Sequence, residues 1–207
     1  MIVIVDYGIG NLASVANMHR HLGIPAVVSS SADAIAQADR LILPGVGSFD
    51  AGMQCLAESG LVRALNVAVL ERRRPVLGIC LGMQLMFEAS EEGGRAGLGW
   101  IKGTVRRFDF SQADAPLAVP HMGWRVCRLE RSNPLFPEPS DEARFYFAHS
   151  FYCECANPAD IAATATYGVA FVAAVCADNV MGVQFHPEKS HRYGMQLLQA
   201  FSEVTRC

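Results

Sequence analysis

The segment Pro75-Val-Leu-Gly-Ile-Cys-Leu-Gly-Met-Gln-Leu-Met-Phe87 is the most informative stretch of this chain. Its apolar start, Pro75 to Ile79, predicts a buried parallel strand, and residues 82–88 predict a helix because their apolar side chains recur at helical spacing. Between the two, Gly78-Ile-Cys80-Leu-Gly82 places a cysteine where a strand–turn–helix elbow holds its nucleophile. The N–H groups at the helix start would favour the thiolate, which is the nucleophilic form. The alternative is a structural cysteine buried between a strand and a helix.

The composition is typical of a globular protein. With 207 residues, of which 51% are hydrophobic and 18% are charged, we expect one domain over residues 1–207. A net charge of −3 gives no reason to expect binding to nucleic acid or to an anionic membrane. No apolar run approaches the length of a membrane span, and Met1-Ile-Val-Ile-Val-Asp6 predicts a first strand rather than a signal peptide.

The cysteines are odd in number and have no paired spacing. There are seven, at positions 55, 80, 127, 153, 155, 176 and 207. This pattern predicts free thiols and a cytoplasmic location rather than a disulfide framework. Cys153 and Cys155 share one face of a predicted strand, but two cysteines without a matching pair are weak grounds for a zinc site, so we expect no metal.

The pattern of apolar residues predicts an α/β fold. Runs at residues 2–5, 26–29 and 41–43 predict further parallel strands, separated by helices at about 12–22, 49–58 and 60–73. Beyond Trp100, short alternating stretches predict antiparallel strands at about 103–108, 125–129, 143–147, 162–167, 171–176 and 180–185. We therefore expect a mostly parallel central sheet flanked by helices, with a β-rich second half that folds back on it.

Two glycine-rich loops follow predicted strands. Asp6-Tyr-Gly-Ile-Gly-Asn-Leu-Ala13 fits the G-x-G-x-x-A dinucleotide pattern. However, Asp6 would lie beside a pyrophosphate, and the second strand carries no acid at its tip, so we favour a specialised loop in which Asn11 caps the next helix. Pro44-Gly-Val-Gly-Ser48 lies where open α/β sheets bind ligands, although Ser48 could simply cap a helix.

A candidate base and its orienting acid lie near the end of the chain. In Val183-Gln-Phe-His-Pro-Glu-Lys189, a predicted strand ends at His186, and Pro187 favours extended backbone. Residues two apart then share a face, so the carboxylate of Glu188 can orient and stabilise the imidazole of His186. Together with Cys80, these residues form a candidate nucleophile, base and acid.

Two further histidines occur in predicted loops or strand ends. His121 follows Pro120 in a predicted loop, and His149 follows the predicted strand at 143–147. Either side chain could serve as a ligand or a base, or could be structural and hydrogen-bond a loop.

Taken together, these motifs resemble those of the class I (triad) glutamine amidotransferases. The cysteine elbow and His186-Pro-Glu188 match the triad motifs shared by that class. The finer motifs are similar to those of the glutaminase subunits of imidazole glycerol phosphate synthase, and the likeness runs from the first strand to the last helix. These motifs are Asp6-Tyr-Gly-Ile-Gly-Asn11, Pro44-Gly-Val-Gly-Ser-Phe49, Cys80-Leu-Gly-Met-Gln84, His121-Met-Gly-Trp124 and His149-Ser-Phe-Tyr152.

The resemblance implies an activity, a partner and a set of site residues. It implies hydrolysis of L-glutamine to glutamate and ammonia without a cofactor, and transfer of the ammonia to a (β/α)₈-barrel cyclase subunit. That subunit makes imidazole glycerol phosphate and AICAR, an aminoimidazole carboxamide ribotide, in histidine biosynthesis. The implied residues are Cys80, His186 and Glu188 for catalysis; Val46, Gly47 and Leu81 for the oxyanion hole; Gln84, His149 and Ser150 for glutamine; and Gly8, Gly10, Asn11, Trp124 and Lys189 toward the partner.

Two other classes of function remain open from the residues alone. A thiol peptidase or a γ-glutamyl hydrolase could use the same triad on another amide. A non-catalytic binding subunit is the second alternative, although an intact triad argues against it.

Overall fold

The computed structural model describes residues 1–111, 117–137 and 142–204. The strands are β1 (Ile2–Val5), β2 (Ala26–Ser29), β3 (Arg40–Gly45), β4 (Val76–Cys80), β5 (Ala89–Ser90), β6 (Gly103–Arg107), β7 (His121–Val126), β8 (Arg128–Leu129), β9 (Arg144–His149), β10 (Phe151–Cys155), β11 (Ile161–Tyr167), β12 (Val169–Ala177) and β13 (Val180–Val183). The helices are α1 (Leu12–His21), α2 (Ala32–Gln37), α3 (Phe49–Glu58), α4 (Val62–Asn66), α5 (Leu81–Leu85) and α6 (His191–Glu203).

The main sheet has eight strands in the order β2-β1-β3-β4-β13-β12-β11-β8. The first five strands in this order, β2, β1, β3, β4 and β13, are parallel to one another. The last three, β12, β11 and β8, pair antiparallel with their neighbours. Two smaller sheets, β10-β6-β5 and β7-β9, complete the β-rich half. This arrangement confirms the predicted fold class, a mixed sheet flanked by helices.

Apolar side chains of the central strands pack into hydrophobic cores on both faces of this sheet. Ile2 and Ile4 pack in one core, while Val3 and Val5 pack in the other. Successive side chains of a strand point to opposite faces, so a strand covered on both faces must be apolar throughout. This is why the buried parallel strands β1 and β4 read as continuous apolar runs.

Several predicted boundaries were wrong. The helix expected at 82–88 is the shorter α5, because the chain turns into β5 at Ala89. The helix expected at 60–73 is α4 followed by a π-helical turn, Val67–Glu71. His121 lies in β7 rather than in a loop, since residues 121–126 pair with β9 around Gly123, and a glycine weakens the strand signal of the sequence.

The described cysteines depart in one case from the expectation of free thiols. Cys55, Cys80, Cys127, Cys153 and Cys155 are free. Cys176 is disulfide-bonded. Its pairing could not be predicted because a disulfide depends on the distance between two Cα atoms and not on sequence spacing. Within the described ranges, no helix combines the length and apolarity needed to cross a membrane.

Candidate active site

Cys80 lies on a strained turn between β4 and α5. Its backbone has φ 54° and ψ −110°, a conformation that residues with side chains rarely adopt. A Cβ atom on Gly82 would lie 1.8 Å from the carbonyl oxygen of Leu43, and one on Gly78 would lie 2.7 Å from the backbone of Met83. The turn therefore requires glycine on both sides of the cysteine, as an elbow does.

His186 and Glu188 form a buried pair beside this elbow. Nδ1 of His186 lies 2.9 Å from Oε1 of Glu188, and the two side chains are 5% and 2% exposed. The pairing was predicted, and His186 itself has the expected extended backbone, with φ −102° and ψ 98°. The extended conformation expected for the residues after it was wrong. Pro187–Lys189 is a 3₁₀ turn and not extended backbone, and this turn brings the carboxylate to the imidazole.

The backbone of His186 is held from two sides. Its N–H donates to the carbonyl of Tyr146 at 2.9 Å, and its carbonyl accepts from the hydroxyl of Ser190 at 2.6 Å. Ser190 is fully buried, and its hydroxyl also accepts from the N–H of Tyr146. These bonds hold the backbone of His186 against β9.

The electrostatic surroundings favour the protonated form of His186. Burial lowers its pKa, but hydrogen bonds to the side chains of Cys80 and Glu188, together with their charges, outweigh that effect and raise the pKa to about 10. The imidazole is therefore held as a cation between a sulfur atom and a carboxylate, ready to give a proton to a leaving group.

One cavity of about 320 Å³ brings most of the predicted residues together. Its lining includes Cys80, His186, Val46, Gly47, Leu81, Gln84, His149, Ser150 and Lys189. Glu188 is absent from this lining, and its carboxylate is buried against Nδ1 of His186. A larger cavity of about 580 Å³ lies against α6 and includes none of these residues.

A model of the family Glutamine amidotransferase class-I matches residues 3–203. The chain belongs to this family. Similar proteins include imidazole glycerol phosphate synthase subunit HisH 2 of Pseudomonas aeruginosa, 49% identical over 99% of this chain and 100% of that protein. Subunit HisH of Bdellovibrio bacteriovorus is 50% identical, with the same coverage.

Solved structures of amidotransferases share the fold. The Trypanosoma brucei CTPS glutaminase domain with bound acivicin has a TM-score of 0.66 at 19% identity, covering 98% of this chain and 93% of that one. Thermotoga maritima PurLQS has a TM-score of 0.73 at 18% identity, covering 97% and 96%. At such low identity these likenesses establish the fold alone.

In this amidotransferase, the glycine loop after β3 lies beside Cys80. Gly45 pairs with Cys80 in the parallel register of β3 and β4, which places Val46 and Gly47 at the cavity. Val46 is 43% exposed, and Gly47 has φ +100°. Leu81, the third predicted oxyanion residue, begins α5 directly after the nucleophile.

Glu92 also lines the cavity and was missed by the sequence reasoning. Its carboxylate accepts from the N–H of Phe49 at 2.7 Å, at the start of α3. Ser48 occupies the N-cap position of that helix, but its side chain makes no capping bond. The helix start is therefore satisfied by a carboxylate 43 residues away along the chain, a contact that no local pattern reports.

Two of the predicted glutamine-binding residues, Gln84 and His149, already hydrogen-bond to neighbouring protein groups. Nδ1 of His149 lies 2.7 Å from the carbonyl oxygen of Phe151, and its Nε2 lies 3.2 Å from Nδ1 of His121. Gln84 donates from Nε2 to the same carbonyl of Phe151 at 3.1 Å and to Oε1 of Gln184 at 3.0 Å. The carbonyl of Ser150 also accepts from the N–H of Phe108 at 3.2 Å. These bonds leave the amide oxygen of Gln84 and the hydroxyl of Ser150 as the groups available to a ligand.

The two buried histidines are held neutral. Burial lowers the pKa of His149 to about 3, and the charges of His121 and His186 add to this effect against the bond to Phe151. Burial and the charge of Arg125 lower the pKa of His121 to about 4. Their hydrogen bonds favour a structural role for these histidines over a role as bases.

Two hydrogen bonds hold the first glycine-rich loop, residues 6–13. The N–H of Gly8 donates to the carboxylate of Asp6 at 3.1 Å, and the Tyr7 hydroxyl donates to the carbonyl of Pro44 at 2.8 Å. This supports a specialised loop over a dinucleotide site, because an N–H bonded to Asp6 is not offered to a phosphate. Asn11 occupies the N-cap position of α1, but its side chain makes no capping bond, so that prediction was wrong.

The other predicted partner-facing residues lie at or near the surface. Trp124 is 38% exposed and stacks on His191, with ring centroids 5.4 Å apart. Gly8 and Gly10 have φ +91° and +124°. Lys189 lines the cavity, and its Nζ lies 5.7 Å from the ring centroid of Tyr146.

No cluster of three or more potential metal ligands occurs in the part of the chain that the structure describes. Cys153 is fully buried in β10, and burial raises its pKa, with the charges of Cys155 and Cys80 contributing less. Burial, with a smaller contribution from Asp160, raises the pKa of Cys155 to about 12. Both residues therefore favour the thiol form, which is a poor metal ligand.

Proposed function

We propose that this chain is the glutaminase subunit of an imidazole glycerol phosphate synthase. The observation that carries the proposal is the single cavity in which a strained elbow cysteine lies beside the buried His186–Glu188 pair. Relatives that are 49–50% identical over 99% of the chain are HisH subunits of that synthase.

The reaction is amide hydrolysis through a thioester. The thiolate of Cys80 attacks the side-chain carbonyl carbon of glutamine, and the carbonyl electrons move to the oxygen. The imidazolium of His186 gives its proton to the leaving nitrogen as the C–N bond breaks, which releases ammonia. His186 then takes a proton from water, the hydroxide attacks the thioester carbon, and glutamate leaves as the thiolate returns.

Backbone N–H groups stabilise the oxyanion. The N–H of Leu81 at the start of α5 is one donor, and an N–H of the Val46–Gly47 segment is the second. Each such donor is worth about 3–4 kcal/mol in the transition state. The amide oxygen of Gln84 and the His149–Ser150 segment hold the glutamine.

The ammonia passes to a (β/α)₈-barrel cyclase subunit, which makes imidazole glycerol phosphate and AICAR in histidine biosynthesis. The cyclase contacts Gly8, Gly10, Asn11, Trp124 and Lys189. Two observations support contact with the cyclase at this face. Met122, Trp124 and Val126 form an exposed apolar row on β7, and Lys189 lies at the cavity itself. The complex is cytoplasmic. The five free thiols of the described residues support this location, whereas the disulfide of Cys176 does not.

Co-purification with the cyclase, followed by glutamine turnover with and without it, tests this function. We expect a stable heterodimer that forms imidazole glycerol phosphate from glutamine. A thiol peptidase or γ-glutamyl hydrolase would instead cleave its own substrate equally well without the cyclase. A thiol-reactive glutamine analogue that leaves Cys80 unmodified would favour a non-catalytic subunit.

A further inference from the structure

We propose that Gln184 is a positioning residue for the nucleophile, whose side-chain amide N–H holds the sulfur of Cys80 and favours its thiolate form. This role rests on the proposed glutaminase site. Gln184 was not among the residues that the sequence predicted for the site. It lies two residues before His186, and residues two apart along a strand point to the same side, which is the signal that could have found it.

Gln184 is fully buried next to the elbow. It lies one residue beyond β13, the strand that pairs with β4 in parallel, and its own N–H donates to the carbonyl of Ala173 at 2.9 Å. Its Nε2 lies 3.7 Å from Sγ of Cys80, within hydrogen-bond distance for sulfur. Its Oε1 accepts from Nε2 of Gln84 at 3.0 Å. The side chain therefore bridges the nucleophile and the proposed substrate-binding amide.

A backbone carbonyl determines which way the side-chain amides of Gln84 and Gln184 are oriented. The oxygen of Phe151 can only accept, and it accepts from Nδ1 of His149 at 2.7 Å and from Nε2 of Gln84 at 3.1 Å. Gln84 must then turn its NH₂ group to Phe151, which directs its second hydrogen to Oε1 of Gln184. Gln184 in turn must present its NH₂ group to the sulfur.

The opposite amide orientations are excluded by the same contacts. If Gln184 alone were flipped, its NH₂ group would face the NH₂ group of Gln84. If both amides were flipped, the Gln84 oxygen would face the carbonyl oxygen of Phe151. Because buried polar atoms are costly without partners, the assigned orientation is the one in which each contact has a donor and an acceptor.

An N–H directed at sulfur stabilises the thiolate more than the thiol, because a charged acceptor makes the stronger hydrogen bond. Gln184 adds this stabilisation without titrating. Other titratable groups also face Cys80 or line its cavity: His186, Glu188, Tyr7, His149, Cys153, Glu92 and Lys189.

Alkylation of Cys80 across a range of pH tests the proposal. In Gln184→Glu an oxygen replaces the donor at the same position, and in Gln184→Met the donor is lost without adding charge. Iodoacetamide modification is followed on the peptide that contains Cys80 by mass spectrometry. In both variants we expect the pH midpoint of modification to rise by about one unit, so that the rate at neutral pH falls about tenfold. An unchanged midpoint in both would overturn the proposal.

Turnover by the complex with the cyclase gives a second readout. We expect the kcat for glutamine to fall more than KM rises, while synthesis from added ammonium salt is retained as a sign of intact folding and assembly. Asn179→Asp is the matched control. It alters another buried amide, at the opposite end of β13, and should leave the alkylation midpoint in place.

One further measurement uses the wild-type protein. If the Gln184 variants do not fold, the side-chain amide resonances of Gln184 are followed by NMR in the wild-type protein as Cys80 titrates. We expect them to shift with Cys80, and their insensitivity would overturn the proposal. Alkylation requires neither glutamine nor cyclase, so its outcome is independent of whether Cys80 turns over glutamine.

Discussion

Nδ1 of His186 lies 2.9 Å from the carboxylate of Glu188, and both side chains are almost completely removed from solvent. This contact leaves Nε2 of the imidazole for the hydrogen bond to Cys80. The carboxylate therefore fixes the ring and balances its positive charge. In the proposed mechanism, the opposite nitrogen exchanges protons with the sulfur, the departing ammonia and the water.

Replacing Glu188 with glutamine should lower glutaminase activity about 100-fold or more, because a neutral amide no longer stabilises the imidazolium of His186. The measurement is glutamine turnover by the complex, with the free energy of unfolding as a check on the fold. Glu154→Gln, which alters an exposed glutamate paired with Arg106, is the control and should retain normal turnover. An unchanged rate in Glu188→Gln would show that another acid orients His186.

Replacing Cys80 with alanine or serine should abolish product formation from glutamine, because the nucleophile is lost. Product formation from added ammonium salt should persist, since that route needs only the assembled cyclase. The assay compares the two nitrogen sources in the same preparation. Normal glutamine turnover by Cys80→Ala would refute the assignment of the nucleophile.

The isolated subunit should be a poor glutaminase that the cyclase activates, because a loop with two glycines can rest with its N–H turned away from the oxyanion. Activation of about 10³-fold would need about 4 kcal/mol of coupling. The measurement is glutaminase rate against cyclase concentration, with and without the nucleotide ligand of the cyclase. If the subunit alone runs at the rate of the complex, the loop is preorganised and this expectation fails.

Gly47→Val should damage that activation more than assembly. Gly47 has φ +100°, and a Cβ atom there would meet nothing within 4 Å, so the substitution acts through backbone strain rather than a clash. We expect about a tenfold loss of stimulated rate with little change in cyclase affinity. Gly23→Val is the matched control, because Gly23 also has positive φ and open space but lies at the end of α1. Equal losses in both variants would contradict a specific role for the loop.

Gly82→Ala should destabilise the fold by about 2 kcal/mol or more, because the added Cβ would meet the Leu43 carbonyl oxygen at 1.8 Å and α5 would have to move away from β3. Urea unfolding measures the change. Gly94→Ala is the control, since a Cβ at Gly94 meets nothing within 4 Å, and it should change stability by less than about 0.5 kcal/mol. A tolerated Gly82→Ala would mean that the elbow is looser than the structure indicates.

Stability should fall as the pH drops below about 6.5, where unfolded histidines begin to bind protons. The pKa values of His121 and His149 are lowered to about 4 and about 3, so both residues stay neutral in the folded state. Their contribution to the free energy of unfolding is therefore fully present above about pH 6.5 and is lost progressively as the pH falls to 4–3. Each residue contributes up to about 1.4 kcal/mol per pH unit. Urea unfolding at several pH values should give a shallower acid slope for His121→Asn. The exposed His21→Asn should keep the wild-type slope.

Much of the site can be derived from the amino-acid sequence because its main features are local. The elbow needs Gly78 and Gly82 on either side of Cys80, and a short apolar run such as the one before it is typical of a buried strand. His186 and Glu188 lie two residues apart, so their side chains are close along the chain and the short turn at Pro187–Lys189 can bring them together. Local spacing is thus robust to an error in the assumed conformation.

Other features depended on the tertiary structure. The bond from Gln184 to Cys80 joins residues 104 positions apart, and the contact of His121 with His149 arises from the pairing of β7 with β9. Hydrophobic periodicity reports which side of an element is buried, but not which distant element covers it. The partner of a buried polar group is set by strand order and register across the sheet, and these are decided only when the whole core packs.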